Sequence, residues 1–390
     1  MAYDESRRHT HDPTDAANAD GSDATEAMPA TDDVFDDPAD GEPGRDRLAV
    51  HVGWEVLLLL GVACLAFLIH RDHPDALRGA ALNDLLVAGT VLGLLAMAAG
   101  LTLRAGVPNL ALGPVALASA QHVAGYGSVS DAIGPAVLAA VALGLALAVF
   151  VTGLHVPAWA ASLAVAFAVA VLVEERTGFA AATAAWDPAD YSFQLFGGFA
   201  ALAALAGLFG AVKAIRRLVG RFRPVADPAE RRGVAAATVS AGALVVSMVL
   251  ATLAGVLMGA GPDRPPASGL EWSGLALGAA LLGGTSAFGR RGGIFGTVFA
   301  VSLLTLGTAY VELRGWEVSA GTIAAAAIVV GLVATRLVES LGRPGSPEDE
   351  EPEDWTRPGA GSGNAWSDPR ELWSFALPAQ PAGDRRRGDR

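Results

Sequence analysis

Cysteine and lysine are almost missing from this chain. Its one cysteine, Cys64, stands inside an apolar run, which excludes an intramolecular disulfide and a thiolate metal cluster. Its one lysine, Lys213, is followed by Ala214, so there is no G-x-x-x-x-G-K-[ST] loop to cradle nucleotide phosphates, and any ATP-driven role requires a separate ATPase. The H-E-x-x-H and G-x-S-x-G patterns are absent as well, and the seven histidines are scattered. No catalytic residue, metal ligand or cofactor is therefore expected, and a membrane-embedded enzyme is disfavoured. Charge is scarce too: 17% of residues are charged and 52% hydrophobic, against about 25% charged in ordinary soluble domains. That composition points to a bilayer.

The net charge of -13 belongs to the chain ends. Residues 1–48 hold 14 acidic and 4 basic side chains, residues 343–390 hold 10 and 7, and the stretch between them is balanced at 16 of each. Both ends are rich in polar residues, Pro and Gly and lack a sustained apolar run, so they are expected to be disordered tails; the first carries no signal-peptide pattern. An apolar island, DPRELWSFALPAQP, interrupts the second tail. Nothing points to a nucleic-acid partner.

Between the tails, at 49–342, apolar runs recur that are long enough, at 1.5 Å per residue, to cross a hydrocarbon layer of about 30 Å. The spans are read at 50–70, 84–103, 107–125, 132–153, 156–173, 194–212, 234–258, 273–288, 293–311 and 319–341. The expected fold is all-α, a polytopic transmembrane bundle of about ten helices. Pro108 and Pro114 mark the third span as a candidate broken or half-inserted helix. With the N-terminus cytoplasmic, Arg104, the seven basic residues from Lys213 to Arg232, Arg290, Arg291 and Arg336 face inward, eleven of the sixteen in the body. The positive-inside rule thus places both termini in the cytoplasm.

Polar groups inside apolar spans are costly and raise a functional question. Glu55, Gln121 and His122 lie near predicted helix ends, where an interfacial side chain and a ligand contact are both open readings. The connection KAIRRLVGRFRPVADPAERR, from Lys213 to Arg232, reads either as a topology determinant at anionic headgroups or as a docking element with a short helix after Asp227.

Three stretches resemble the permease subunits of ribose-type and branched-chain amino acid-type ABC importers. Gly283 to Thr297, GGTSAFGRRGGIFGT, follows that family's G-G-T-S-x-x-G-x-x-G-x-x-x-G-T at every fixed position: Gly283, Gly284, Thr285, Ser286, Gly289, Gly292, Gly296 and Thr297. Gly233 to Leu257 is similar to a second segment that begins G-I and ends A-G-V-L, with Ser247 and Gly255 in register. Gly106 to Gly113, GVPNLALG, resembles G-G-I-D-L-S-V-G, with Asn109 at the aspartate and Ala111 at the serine. VPAWAASLA, at Val156 to Ala164, echoes a fourth pattern, V-P-x-x-I-x-T-L.

The resemblance implies a multi-pass prokaryotic plasma-membrane permease for a sugar or similar solute. Its implied partners are cytoplasmic ABC ATPase subunits, an extracytoplasmic solute-binding protein, and a second permease copy or sister permease. It further implies a substrate path near Asn109 and Gly113, to which Gln121 and His122 are added as candidates on their polarity near span ends. Coupling to the ATPase is implied for Asp227, Glu230, Arg231, Arg232 and Gly233, with Arg290 and Arg291 on a second inner loop. The departures at Asn109 and after Gly233, where Ala237 and Thr238 replace an expected basic pair, leave open a divergent, non-transporting scaffold or regulator.

Overall fold

The computed structural model describes residues 48–126, 128–175, 186–211, 233–260, 269–285, 287 and 294–342. Those residues form ten α-helices and, among them, no strand. In chain order they are α1 Leu48–Asp72, α2 Gly79–Arg104, α3 Leu112–Ala124, α4 Val129–Ala148, α5 Ala158–Glu175, α6 Ser192–Ala211, α7 Gly233–Ala260, α8 Gly269–Leu282, α9 Gly296–Leu313 and α10 Ala320–Gly342. Each falls on one of the ten apolar runs. The expected tails lie outside the described residues, except that Leu48, the last residue of the first, already begins α1; the connection 213–232 lies outside them as well. Seven helices are long and apolar enough to cross a membrane: α1, α2, α4, α6, α7, α9 and α10. The protein is an all-helical, multi-pass membrane protein.

Two expected spans are shorter than their apolar runs. The third run, 107–125, is helical only from Leu112, and the eighth, expected to continue to 288, stops at Leu282. Both boundaries follow from glycine. The last turn of α2 closes with Gly106 at φ +68°, while Val107 N–H donates to Thr102 O and Gly106 N–H to Leu103 O. The last turn of α8 closes the same way, with Gly284 at φ +88°, Thr285 N–H donating to Ala280 O and Gly284 N–H to Leu281 O. This paired 6→1 and 5→2 ending needs a left-handed residue, which glycine adopts without a Cβ penalty.

The centre of the bundle is α2 and α7, whose spans are 61% and 56% buried, whereas the span of α1 is 11% buried. Helix α7 packs against α2, α3 and α4. Its contact with α3 is backbone to backbone: a Cβ on Gly255 would lie 2.1 Å from Ala116 O, and one on Gly259 would lie 2.5 Å from Ala120 O. A G-x-x-x-G face on α7 thus meets an A-x-x-x-A face on α3, the close approach that small residues permit where lipid gives helices no hydrophobic reason to associate.

Helices α1 and α9 run parallel. Glu55 meets Phe295 and Gly296, Gly61 meets Leu303, Leu65 meets Gly307, and Asp72 pairs with Arg314. Helix α8 runs parallel to α10, since Gly274 meets Ala324 and Leu281 meets Gly331. Trp54, near the start of α1, reaches Leu282 at the end of α8. Helix α1 therefore starts, and α10 ends, at the same end of the bundle.

Candidate functional site

The break before α3 gathers four buried polar side chains, Asn109, Ser162, Ser247 and Ser273. Gly100 of α2 lies against Ala280 and Thr285 near the end of α8, whereas Gly113 lies against Gly269 and Ser273 at its beginning. From residue 269 to residue 280 a helix rises roughly 16 Å. The chain after Gly106 therefore runs back along α8 without helical structure, and α3 begins where that passage ends. A non-helical stretch and a thirteen-residue helix together occupy the third apolar run.

Non-helical backbone at membrane depth is tolerated only where protein covers it and its polar groups find partners. Val107, Asn109 and Ala111 are buried, and the partners come from three sources. Asn109 Oδ1 accepts from Ala111 N–H at 3.0 Å, capping the approach to α3. Ser162 of α5 donates to Pro108 O at 3.2 Å. Ser273 of α8 accepts from Gly113 N–H at 2.9 Å and donates to Leu110 O at 2.8 Å, so one hydroxyl serves both polarities.

The other end of the Asn109 amide is held equally firmly. Its Nδ2 donates to Ser247 Oγ at 2.9 Å and lies 3.7 Å from Met248 Sδ, while Ser247 passes its own proton to Leu244 O at 2.7 Å. One helical turn away Ser119 bonds Thr252 across the same α3–α7 contact. This interior is a hydrogen-bonded network that joins α3, α5, α7 and α8 at the point where α3 is interrupted.

The four residues expected along a substrate path fall into two places. Asn109 and Gly113 are in the break, but Gly113 is a packing residue: a Cβ there would lie 1.9 Å from Gly269 O. Gln121 and His122 are at the far end of α3. Gln121 Nε2 donates weakly to Val173 O at 3.4 Å, its Oε1 and His122 Nε2 are buried without a partner, and the His122 ring tilts against Tyr126. Ser162 and Ser273 were not singled out by sequence reasoning. Each is a lone small hydroxyl in an apolar run, a pattern that serves as often to bond the preceding helical turn.

The Gly283–Thr297 motif forms a neck at the other candidate region. A Cβ on Gly296 would lie 2.2 Å from Gly283 O, and one on Gly283 would lie 2.9 Å from Thr297 N and Cα. The end of α8 and the start of α9 thus touch through bare backbone. Gly233 is the first residue of α7. Ser286, Gly289, Arg290, Arg291, Gly292, Asp227, Glu230, Arg231 and Arg232 lie outside the described residues. Among the described residues, no group of three His, Cys, Asp or Glu side chains could hold a metal ion.

A direct consequence concerns Asn109→Asp, which restores the acidic residue of the motif that GVPNLALG resembles. The carboxylate would keep the bond from Ala111 N–H but turn a donor into an acceptor facing Ser247. Protonated, the side chain keeps both polarities of the amide; ionised, it keeps only the acceptor, so stability is retained at low pH and lost as the carboxyl ionises. The melting temperature of Asn109→Asp is expected to match the parent near pH 4 and fall below it by pH 8, whereas equal offsets at both pH values would contradict the assigned donor.

Comparison with protein-family models, curated proteins and solved structures gives no match for this chain.

Proposed function

We propose that this chain is the membrane-spanning permease subunit of an importer driven by a separate ABC-type ATPase, with a sugar or similar small polar solute as its cargo. The observation that carries this reading is the neck at Gly283 and Gly296. Two glycines that the permease-like motif holds fixed are two whose backbones touch, so the motif has a physical reason to be glycine here. The interrupted crossing before α3 supports it further, because discontinuous helices near the middle of a bundle are where transporters place their solute sites.

In this reading both chain ends are cytoplasmic. The shared end of α1 and α10 is then the side of eleven of the sixteen body arginines and lysines. A second copy or sister permease completes the solute path, an extracytoplasmic binding protein delivers cargo, and ATPases act from the side of residues 213–232. The chain's own task is conformational: a bundle with two arrangements of similar free energy, biased by nucleotide-driven contacts.

A scaffolding or regulatory role is the second reading. It is favoured by Asn109, whose amide is spent on Ser247, Met248 and Ala111 rather than held open for a solute.

The deciding experiment is co-purification with candidate ABC ATPase and solute-binding proteins from the same organism, followed by ATPase assays in liposomes as candidate solutes are added. Solute-stimulated hydrolysis supports the importer, and a chain that neither associates nor stimulates refutes it. Within the importer, Arg231→Glu with Arg232→Glu is expected to lower uptake at least tenfold while leaving membrane insertion and basal ATPase turnover intact. Unchanged uptake would remove the docking role from this pair.

A further inference from the structure

Helix α9 begins without a cap of its own. Its N-cap position is Phe295, which offers no side-chain acceptor, and the first-turn amides of a helix need one. The acceptor comes from α1: Glu55 Oε1 takes Phe295 N–H at 2.8 Å and Gly296 N–H at 3.0 Å. The residue before it, Trp54, donates its indole N–H to Leu282 O at 2.7 Å, at the last turn of α8. Two consecutive side chains thus grip both ends of the 283–295 connection. Each has the right sign, a carboxylate on a positive helix start and a donor on a negative helix end.

The rest of α1 is lightly attached. Its span is 11% buried: Leu58 and Ile69 are buried, Gly61 packs on Leu303 and Leu65 on Gly307, and Asp72 pairs with Arg314 at the opposite end. A helix with so little of its span in the core can be displaced without dismantling it. Glu55 also has a defined job here, which its position inside an apolar span would not otherwise explain.

We propose that α1 is a strap whose Trp54–Glu55 end holds the end of α8 and the start of α9 in place, so that displacing α1 and loosening the start of α9 are one conformational event. Glu55 is then a positioning residue for the first turn of α9. The mechanical link stands without the importer reading.

The test uses the full chain in lipid nanodiscs, with no ATPase present, and hydrogen exchange read at residues 295–299. Glu55→Ala is expected to speed exchange there about tenfold, in line with loss of a helix cap, and Glu55→Gln, which keeps a neutral acceptor, to restore part of the protection. Gly61→Trp probes the link from a distance. A Cβ at Gly61 meets the Leu303 side chain at 3.0 Å, so an indole there crowds the α1–α9 contact at a distance from the grip. The same loss of protection at 295–299 is expected. Exchange within twofold of the parent in Glu55→Ala, or in Gly61→Trp, overturns the proposal. Should Gly61→Trp fail to insert, Gly61→Leu carries the same expectation. Because no transport is measured, failure here leaves the importer assay to decide its own question.

Discussion

Gly113→Ala should leave the bundle unable to close. A Cβ at this position would sit 1.9 Å from Gly269 O and 2.7 Å from Ser273 N, both backbone atoms of α8. A carbon and a carbonyl oxygen approach no closer than about 3.3 Å even in favourable contacts, so α3 and α8 would have to separate by more than an ångström. No flexible side chain is available to absorb the change. Separation also pulls Gly113 N–H away from Ser273 Oγ, and with it the hydroxyl's bond to Leu110 O. Overpacking costs about 1–3 kcal/mol, and each buried group left unpaired adds about 1–3 kcal/mol. The sum reaches a large share of the 5–15 kcal/mol by which proteins are typically stable.

The measurement is the thermal midpoint of the detergent-solubilised protein, followed by size-exclusion chromatography. Gly134→Ala on α4 is the control, because a Cβ there meets nothing within 4 Å. It should be neutral or slightly stabilising, since alanine favours helix over glycine by about 0.5–1 kcal/mol. Equal midpoints for the two variants would mean that α3 and α8 do not cross as described.

The helices were legible in the sequence because each is an apolar run bounded by loops, and all ten helices fall on expected runs. What periodicity did not reveal was where two of those runs stop being helical. Leu110 and Ala111 are as apolar as the residues of α3 and give no local sign of non-helical backbone. Pro108 and Pro114 marked the place, but Pro114 sits inside the first turn of α3, where a missing N–H costs nothing. The cause of the break is tertiary: glycine ends α2, and hydroxyls from α5 and α8 satisfy the backbone that follows. Those hydroxyls, Ser162 and Ser273, lie 54 and 163 residues from their partners, and no local pattern announces a contact of that separation.

The same reasoning accounts for Glu55. As a lone acid near a helix end it had two readings, an interfacial side chain ahead of a ligand contact. Its partner is the start of a helix 240 residues later, and only the parallel packing of α1 on α9 makes it a cap. Asn109 shows the opposite case. Its position was marked by resemblance to a motif with aspartate there, and the geometry supplies a reason for the amide: Ala111 N–H needs an acceptor while Ser247, which gives its proton to Leu244, needs a donor. A neutral side chain with both polarities meets that demand; a carboxylate meets half of it.

Ser273→Ala is expected to be the most damaging loss of a single side-chain oxygen in the bundle. The substitution removes no volume that packing would miss, so its cost is electrostatic. Gly113 N–H loses its acceptor and Leu110 C=O its donor at once, in a place that lipid and protein keep dry. At about 1–3 kcal/mol for each orphaned group, a loss of about 3 kcal/mol is expected. Ser162→Ala, which orphans only Pro108 O, should cost about half as much. Because Asn109 and Ser273 hold successive residues of one break, the double variant Asn109→Ala with Ser273→Ala should cost less than the two singles added: once the segment has come loose, the second partner has nothing left to hold. Chemical denaturation in mixed micelles gives these differences, and hydrogen exchange at Ala111 and Gly113 shows where the protection goes. A Ser273→Ala variant within 0.5 kcal/mol of the parent, or strict additivity with Asn109→Ala, would mean that the interruption before α3 is held by shape alone. If instead the costs follow the hydroxyl, α3 is joined to α8 by a few specific hydrogen bonds and not by the fit of apolar surfaces.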